Sequence, residues 1–190
     1  MKFQGIVLAG GKSSRFGSDK ALALADGVPM IQRAVNLLTE LRLDPCVITN
    51  ASRDYSFLKC RIEQDLVPHK GPIGGLYTAC CLFERFSLVV LTCDMPTLTS
   101  AAVKYLIERH KKGDRVTIYS RTESHKQPFP GIYDAALCDT IIRFIEMERL
   151  SMHELFKAIP IPEIKALEFP FDDAILLNIN ERKAQASIRK

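Results

Sequence analysis

The sequence lacks any run of about eighteen uncharged apolar residues, the length that a membrane-spanning helix needs. An apolar strand pattern begins at Gly5, which leaves no room before it for a signal peptide, so we expect a cytoplasmic protein with no membrane partner. The 190 residues contain no internal repeat, low-complexity run or clear linker, which favours a single domain over residues 1–190. The net charge of +4 is too small to indicate a nucleic-acid partner.

The usual patterns of a metal-binding or nucleophilic centre are also missing. None of the six cysteines forms a CxxC pair, and adjacent Cys80 and Cys81 would not face a common ligand on a helix. We therefore expect reduced, buried cysteines. The four histidines share no helical face or metal spacing, and no Ser/His/Asp arrangement stands out.

Strand and helix patterns alternate along the first three quarters of the chain. The expected strands are Gly5–Leu8, Cys46–Thr49, Arg61–Gln64, Ser87–Thr92 and Val116–Ser120. The expected helices are Met30–Leu41, Ser52–Leu58, Ile73–Phe83, Ser100–Lys112 and Asp134–Glu146. Runs such as Leu88–Leu91 are continuously apolar, which indicates strands covered on both faces. The pattern predicts a three-layer α/β/α, Rossmann-like fold with a mostly parallel central sheet.

Local signals predict where some of these elements begin and end. Pro29 suits a first helical turn, Thr99 an N-cap, and Gly113 the position just after a helix. The proline-containing segment Gln127–Tyr133 is expected to form an edge strand or a lid, and Ile159–Pro162 an extended, peripheral segment.

The segment Leu8–Lys20 follows the first expected strand and is rich in glycine and cations. It holds three glycines, two lysines and one arginine. Glycine lets backbone N–H groups approach a ligand closely, and the cations neutralise an anion held there. The spacing matches neither a Walker A loop nor a G-x-G-x-x-G fingerprint. We interpret the segment as a phosphate-binding loop; the alternative is a glycine-rich connection with solvated charges.

Polar residues follow other expected strands, where ligands bind in parallel sheets. Asp94 ends the most apolar strand and is placed to hold Mg²⁺ beside phosphates, or else is a turn or capping aspartate. Asp65 closes another strand, and the glycines of Gly71–Leu76 would let N–H groups reach a base or phosphate, or else allow close helix–sheet packing. Asn50 either binds a nucleotide or caps a turn.

Together these motifs resemble the nucleotidyltransferases that make molybdenum cofactor dinucleotides, most closely the molybdenum cofactor guanylyltransferases of the MobA type. The resemblance spans nearly the whole chain. It rests on the pattern LAGGxSSRxGxDK at Leu8–Lys20 and on the later segments. Those segments are Asp65, Gly71–Leu76, Thr92–Pro96, Gln127–Tyr133 and Leu177–Asn180.

The resemblance implies transfer of GMP from GTP to the terminal phosphate of molybdopterin, with Mg²⁺ as cofactor, pyrophosphate as product, and molybdoenzyme maturation proteins as further partners. The implied catalytic residues are Arg15, Lys20 and Asp94, and Asp94 is the implied metal ligand. The implied nucleotide-binding residues are Leu8, Ala9, Gly10, Gly11, Lys12, Lys20, Asn50, Asp65, Gly71 and Asp94. Asn178 and Asn180 are implied to lie on the side of the second substrate.

Two positions depart from the family pattern, and other functions stay open. Phe16 replaces the usual Met, a change between apolar residues, and Gln127 stands where many members have a histidine, for which His125 could substitute. The guanine base rests on the resemblance alone. The alternatives are a molybdopterin cytidylyltransferase, another sugar-phosphate or polyol-phosphate nucleotidyltransferase, and a non-catalytic nucleotide-binding adaptor.

Overall fold

The computed structural model describes residues 1–10, 20–50, 55–120 and 125–176. Its helices are α1 (Met30–Glu40), α2 (Pro72–Leu82), α3 (Ser100–Arg109), α4 (Cys138–Glu146) and α5 (Met152–Ala158). Its strands are β1 (Phe3–Leu8), β2 (Leu24–Ala25), β3 (Val28–Pro29), β4 (Pro45–Thr49), β5 (Arg61–Gln64), β6 (Ser87–Thr92), β7 (Val116–Ser120), β8 (Lys126–Asp134) and β9 (Ile164–Glu168).

Seven strands form one sheet in the order β5-β4-β1-β6-β8-β7-β9, and β2 pairs with β3 in a separate small hairpin. Strand β8 runs antiparallel to both of its neighbours, and the other neighbouring pairs are parallel. Helix α1 packs against α3, and α2 packs against α4. Helices therefore cover the sheet in two layers, which confirms the predicted three-layer α/β/α fold with a mostly parallel sheet.

The central strands β1, β4 and β6 carry the core because their residues are buried on both faces of the sheet. Gly75 of α2 lies so close to β1 that an added Cβ would come within 2.9 Å of Leu8 Cδ2. Gly74 is equally confined, since a Cβ there would meet the Val67 carbonyl oxygen at 2.9 Å. Gly75 therefore allows close packing of α2 on the sheet, and Gly74 allows close packing on the loop that precedes the helix.

Several predicted boundaries hold. All five predicted strands are present, and the Thr99 hydroxyl accepts a hydrogen bond from Ala102 N–H at 3.3 Å, as an N-cap does. Pro29 stands directly before α1. The prediction for Gly113 was wrong, because α3 ends at Arg109 and the left-handed Gly113 (φ 104°) belongs to the following turn.

Three predicted segments were assigned wrongly. Within Ser52–Leu58 the described residues 55–58 form a turn, closed by Leu58 N–H donating to the Tyr55 carbonyl at 2.9 Å. Gln127–Tyr133 belongs to β8, an interior strand between β6 and β7, and is neither an edge strand nor a lid. Ile159–Pro162 is not wholly extended, since Ile161 begins a 3₁₀ turn, and Ile159 is buried.

No helix in the described part of the chain is long and apolar enough to cross a membrane. All six cysteines are free, which agrees with the prediction of reduced thiols. Only Cys46 and Cys80 are buried; the other four are partly exposed. Sγ of Cys81 lies 3.2 Å from Sγ of Cys138, and burial raises the pKa of the Cys138 thiol to about 12.

Candidate functional site

The predicted site residues that the structure describes follow strand ends at one edge of the sheet. Because β1, β4, β5 and β6 are parallel, their carboxyl ends meet at this edge. Backbone hydrogen bonds continue one residue past the strands: Ala9 N–H donates to the Ile48 carbonyl at 2.8 Å, and Asp65 N–H to the Thr49 carbonyl at 2.9 Å. The residues just after the strands are therefore held by the sheet itself.

Asp94 and Lys20 form an ion pair at the centre of this edge. Lys20 Nζ lies 3.1 Å from Asp94 Oδ2, and both side chains are largely shielded, at 17% and 19% exposure. Lys20 begins a 3₁₀ turn, Lys20–Leu22, whereas Asp94 follows β6 after Cys93. The pair thus joins the end of the predicted phosphate loop to the predicted metal ligand.

Asn50 connects two neighbouring loops of the site. Its Oδ1 accepts a hydrogen bond from His69 N–H at 3.2 Å. Its Nδ2 packs so closely on Gly10 that an added Cβ would lie 2.5 Å from it. Gly10 must therefore be glycine for Asn50 to occupy this place, and the Asn50 side chain fixes the start of the opening loop against residues 65–71.

Asp65 is buried, with 5% exposure, and begins the segment 65–71 that Asn50 contacts. Its Oδ1 accepts hydrogen bonds from the Thr78 hydroxyl at 2.7 Å and from Val67 N–H at 3.1 Å. The Thr78 hydroxyl oxygen in turn accepts from Leu66 N–H at 3.0 Å. Burial raises the pKa of Asp65, and the hydrogen bonds from Thr78 and Val67 offset part of that effect.

Gly71 stands at the turn into α2 with a left-handed backbone (φ 69°), and a Cβ there would meet no atom of the described residues within 4 Å. Gly75 allows close helix–sheet packing, the alternative that the sequence left open, and Gly74 allows close packing of α2 on the loop before it. Gly71 instead provides the turn. Its open side remains available to a ligand at the amino end of α2.

The structure also shows contacts that sequence reasoning missed. The Thr92 hydroxyl donates to Asp94 Oδ1 at 2.6 Å, and the Thr97 hydroxyl donates to the Ala174 carbonyl at 2.8 Å. The spacing of Thr92, two residues before Asp94, was the available signal for the first contact. Nothing local could have indicated the second, because Thr97 and Ala174 lie far apart in the sequence.

Several predicted residues cannot be placed in this way. Gly11, Lys12, Arg15, Asn178 and Asn180 lie outside the described residues. His125 is exposed beside the amino end of β8, which lies at the site edge because β8 runs antiparallel to β6. Gln127 lies two residues later, within β8. A substitution of His125 for the family histidine stays a prediction.

The donor set at Asp94 suits Mg²⁺. Among the described residues no group of three or more His, Cys, Asp or Glu side chains could hold a metal ion. Mg²⁺ in nucleotide enzymes typically takes one or two carboxylates and completes its shell with substrate phosphates and water. A single shielded carboxylate beside a lysine ammonium group would fit that arrangement, with Asp94 as the candidate protein ligand.

Comparisons with known proteins show the family of this chain. Residues 5–159 match the family model described as the MobA-like NTP transferase domain. A protein of Flavobacterium johnsoniae named "probable molybdenum cofactor guanylyltransferase" is 34% identical over 154 residues, covering 81% of this chain and 80% of its own length. A protein of Geobacillus with the same name is 30% identical over 185 residues, covering 94% of each.

Solved structures show the same fold. A protein of Aquifex aeolicus superposes with a TM-score of 0.78 at 26% identity, covering 94% of both chains. Molybdopterin-guanine dinucleotide biosynthesis protein A of Archaeoglobus fulgidus superposes with a TM-score of 0.77 at 20% identity, covering 97% of this chain and 96% of its own. From the match over residues 5–159 and the identity to curated relatives, the chain belongs to the MobA-like NTP transferase family.

Proposed function

We propose that this protein transfers GMP from GTP to the terminal phosphate of molybdopterin, releasing pyrophosphate, with Mg²⁺ as cofactor. The names of its relatives support the reaction. The observation that carries it is the Lys20–Asp94 pair at the carboxyl edge of the sheet, beside Gly10, Asn50 and Asp65. A cation and a shielded carboxylate in contact suit binding of a metal–triphosphate complex. The anionic phosphates would pair with Lys20, and the metal cation would bind Asp94.

The reaction does not depend on a general base. The attacking group is a phosphate monoester, which is mostly dianionic at neutral pH because its second pKa is about 6. The protein must bring two polyanions into line and stabilise the charge that develops on the leaving pyrophosphate. Lys20 supplies a fixed positive charge for this, and we propose that Lys12 and Arg15 assist it. Bound at Asp94, Mg²⁺ would neutralise phosphate charge and orient the phosphate groups.

The nucleotide would lie along the edge from Gly10 to Gly71. The backbone of Leu8, Ala9, Gly10 and Gly11 would contact it, because Gly10 presents no side chain. Asn50 and Asp65 would hold the guanosine. An ionised Asp65 accepts hydrogen bonds only, which suits the N–H groups of guanine or the ribose hydroxyls.

The second substrate would enter from the carboxyl-terminal side of the edge. The 3₁₀ turn Asp173–Leu176 is docked on Thr97, three residues after Asp94, and Leu176 is buried. Asn178 and Asn180 follow this turn in the sequence, which supports the proposal that they act on the side of the second substrate. A cytoplasmic location and molybdoenzyme maturation partners remain predictions.

A panel of nucleotides tests the proposal. Unfolding is followed with GTP, CTP, ATP and UTP, each with Mg²⁺, because a ligand that binds only the folded state stabilises it by about 2.7 kcal/mol at a hundred times its Kd. Pyrophosphate release is then measured with molybdopterin added. We expect stabilisation and turnover with GTP. Turnover with CTP in its place would make the protein a cytidylyltransferase, and binding without pyrophosphate release would make it a nucleotide-binding adaptor.

A further inference from the structure

Thr92, the last residue of β6, holds the carboxylate of Asp94, which follows two residues later. Its hydroxyl donates to Asp94 Oδ1 at 2.6 Å, a short hydrogen bond of the kind that charged acceptors make. The strand fixes the Thr92 backbone, since β6 pairs with β1 through to Leu8↔Thr92. The sheet therefore fixes the backbone position from which the hydroxyl reaches Asp94.

The other carboxylate oxygen is held from the opposite side. Lys20 Nζ lies 3.1 Å from Asp94 Oδ2, so each oxygen has its own donor. The two donors would respond differently to a bound nucleotide. A lysine that neutralises the triphosphate must share its ammonium group with phosphate oxygens, whereas the Thr92 hydroxyl already donates its one proton to Asp94 Oδ1.

We propose that Thr92 is a positioning residue that keeps the Asp94 carboxylate oriented to bind the metal while Lys20 binds the nucleotide. This inference rests on the proposed function, because it assumes that Asp94 binds Mg²⁺. One oxygen of Asp94 is kept by Thr92, and the other becomes available to the metal as Lys20 turns to phosphate. Partners that orient a metal ligand in this way typically contribute about 10-fold to 100-fold in metal affinity or activity.

The test compares Thr92→Val, which removes the hydroxyl and keeps the branched shape, with Thr92→Ser, which keeps the hydroxyl. Mn²⁺ replaces Mg²⁺, and its binding to the protein–GTP complex is measured by electron paramagnetic resonance of the free ion, without turnover. We expect at least about tenfold weaker Mn²⁺ binding in Thr92→Val and near-normal binding in Thr92→Ser. Thr92→Ala repeats the measurement should Thr92→Val not fold.

Thr39→Val is the matched control, because the Thr39 hydroxyl donates to the Val35 carbonyl within α1, at 2.9 Å. Binding of Mn²⁺ within twofold of the parent protein in Thr92→Val or Thr92→Ala, or an equal loss in Thr92→Ser, would overturn the positioning role. Failure of the parent protein to bind Mn²⁺ with GTP would overturn the metal assignment itself, so the two failures are distinguishable.

Discussion

Lys20 Nζ and Asp94 Oδ2 lie 3.1 Å apart although the residues are separated by 74 positions in the sequence. The contact brings together the cation that the proposed reaction needs for phosphate and the carboxylate that it needs for metal. The two opposite charges offset each other across this contact. Under the proposed function, a metal–nucleotide complex would supply a new partner to each residue at once, which would couple the binding of metal and nucleotide.

Replacing Lys20 by alanine should lower the rate of the reaction strongly and the stability of the fold only slightly. We expect kcat/KM for GTP to fall at least about tenfold, equivalent to about 1.4 kcal/mol of transition-state stabilisation. Steady-state pyrophosphate release measures it. Lys104→Ala, which removes an exposed lysine on α3, is the control and should leave the rate unchanged. A normal rate in Lys20→Ala would leave Lys20 with a structural role only.

Replacing Asp94 by alanine should abolish Mg²⁺-dependent turnover while the fold persists. The Asp94 side chain is partly exposed and lies outside the apolar core, so we expect a near-normal circular dichroism spectrum. Turnover should fall below about one hundredth of the parent value at any Mg²⁺ concentration. Asp139→Ala, an exposed aspartate in the first turn of α4, serves as the comparison. Activity retained in purified Asp94→Ala protein would disprove the metal assignment.

Replacing Asp65 by asparagine should separate stability from nucleotide binding. Burial raises the pKa of Asp65, so the folded protein binds a proton there more tightly than the unfolded chain does. Stability from this group therefore increases as the pH falls from the raised value toward the ordinary value of about 3.9, and is lost as the pH rises through the raised value. Asparagine removes that titration and can still accept from Thr78.

We therefore expect Asp65→Asn to unfold in urea at pH 7 with a free energy equal to or above that of the parent protein. The difference should shrink as the pH is lowered. GTP binding should weaken in the same variant, because a carboxylate acceptor is lost. A less stable Asp65→Asn protein at pH 7 would show instead that the ionised carboxylate supports the fold.

Replacing Thr97 by valine should affect the second substrate and not the first. The Thr97 hydroxyl docks the turn Asp173–Leu176, and one hydrogen bond of this kind contributes about 0.5–1.5 kcal/mol. We expect KM for molybdopterin to rise about threefold to tenfold while KM for GTP is unchanged. Thr39→Val again provides the comparison. An equal rise in both constants would place the turn outside the acceptor side.

The strand positions were predictable because they depend on local hydrophobicity. Ser87–Thr92 forms a strand over the residues predicted for it. A continuous apolar run is stable as a strand only where both faces of the sheet are covered. The failure at Gln127–Tyr133 has an equally physical reason. In β8 the pairing with β7 jumps from Gln127 to Gly131, so Pro128 and Pro130 fall where that ladder is interrupted. An irregular ladder tolerates prolines inside a sheet, and the sequence does not reveal the interruption.

The apolar strands can be read from the sequence alone, and so can the residue types that follow them: a glycine-rich and basic segment, an asparagine and two aspartates. Which of these residues come into contact depends on the tertiary structure. The strand order β5-β4-β1-β6 brings the ends after Leu8, Thr49, Gln64 and Thr92 to one edge. That order depends on how the connecting helices pack across the sheet, which no local pattern encodes. The pairing of Lys20 with Asp94, and the hydroxyl of Thr92 beside them, follow from that packing.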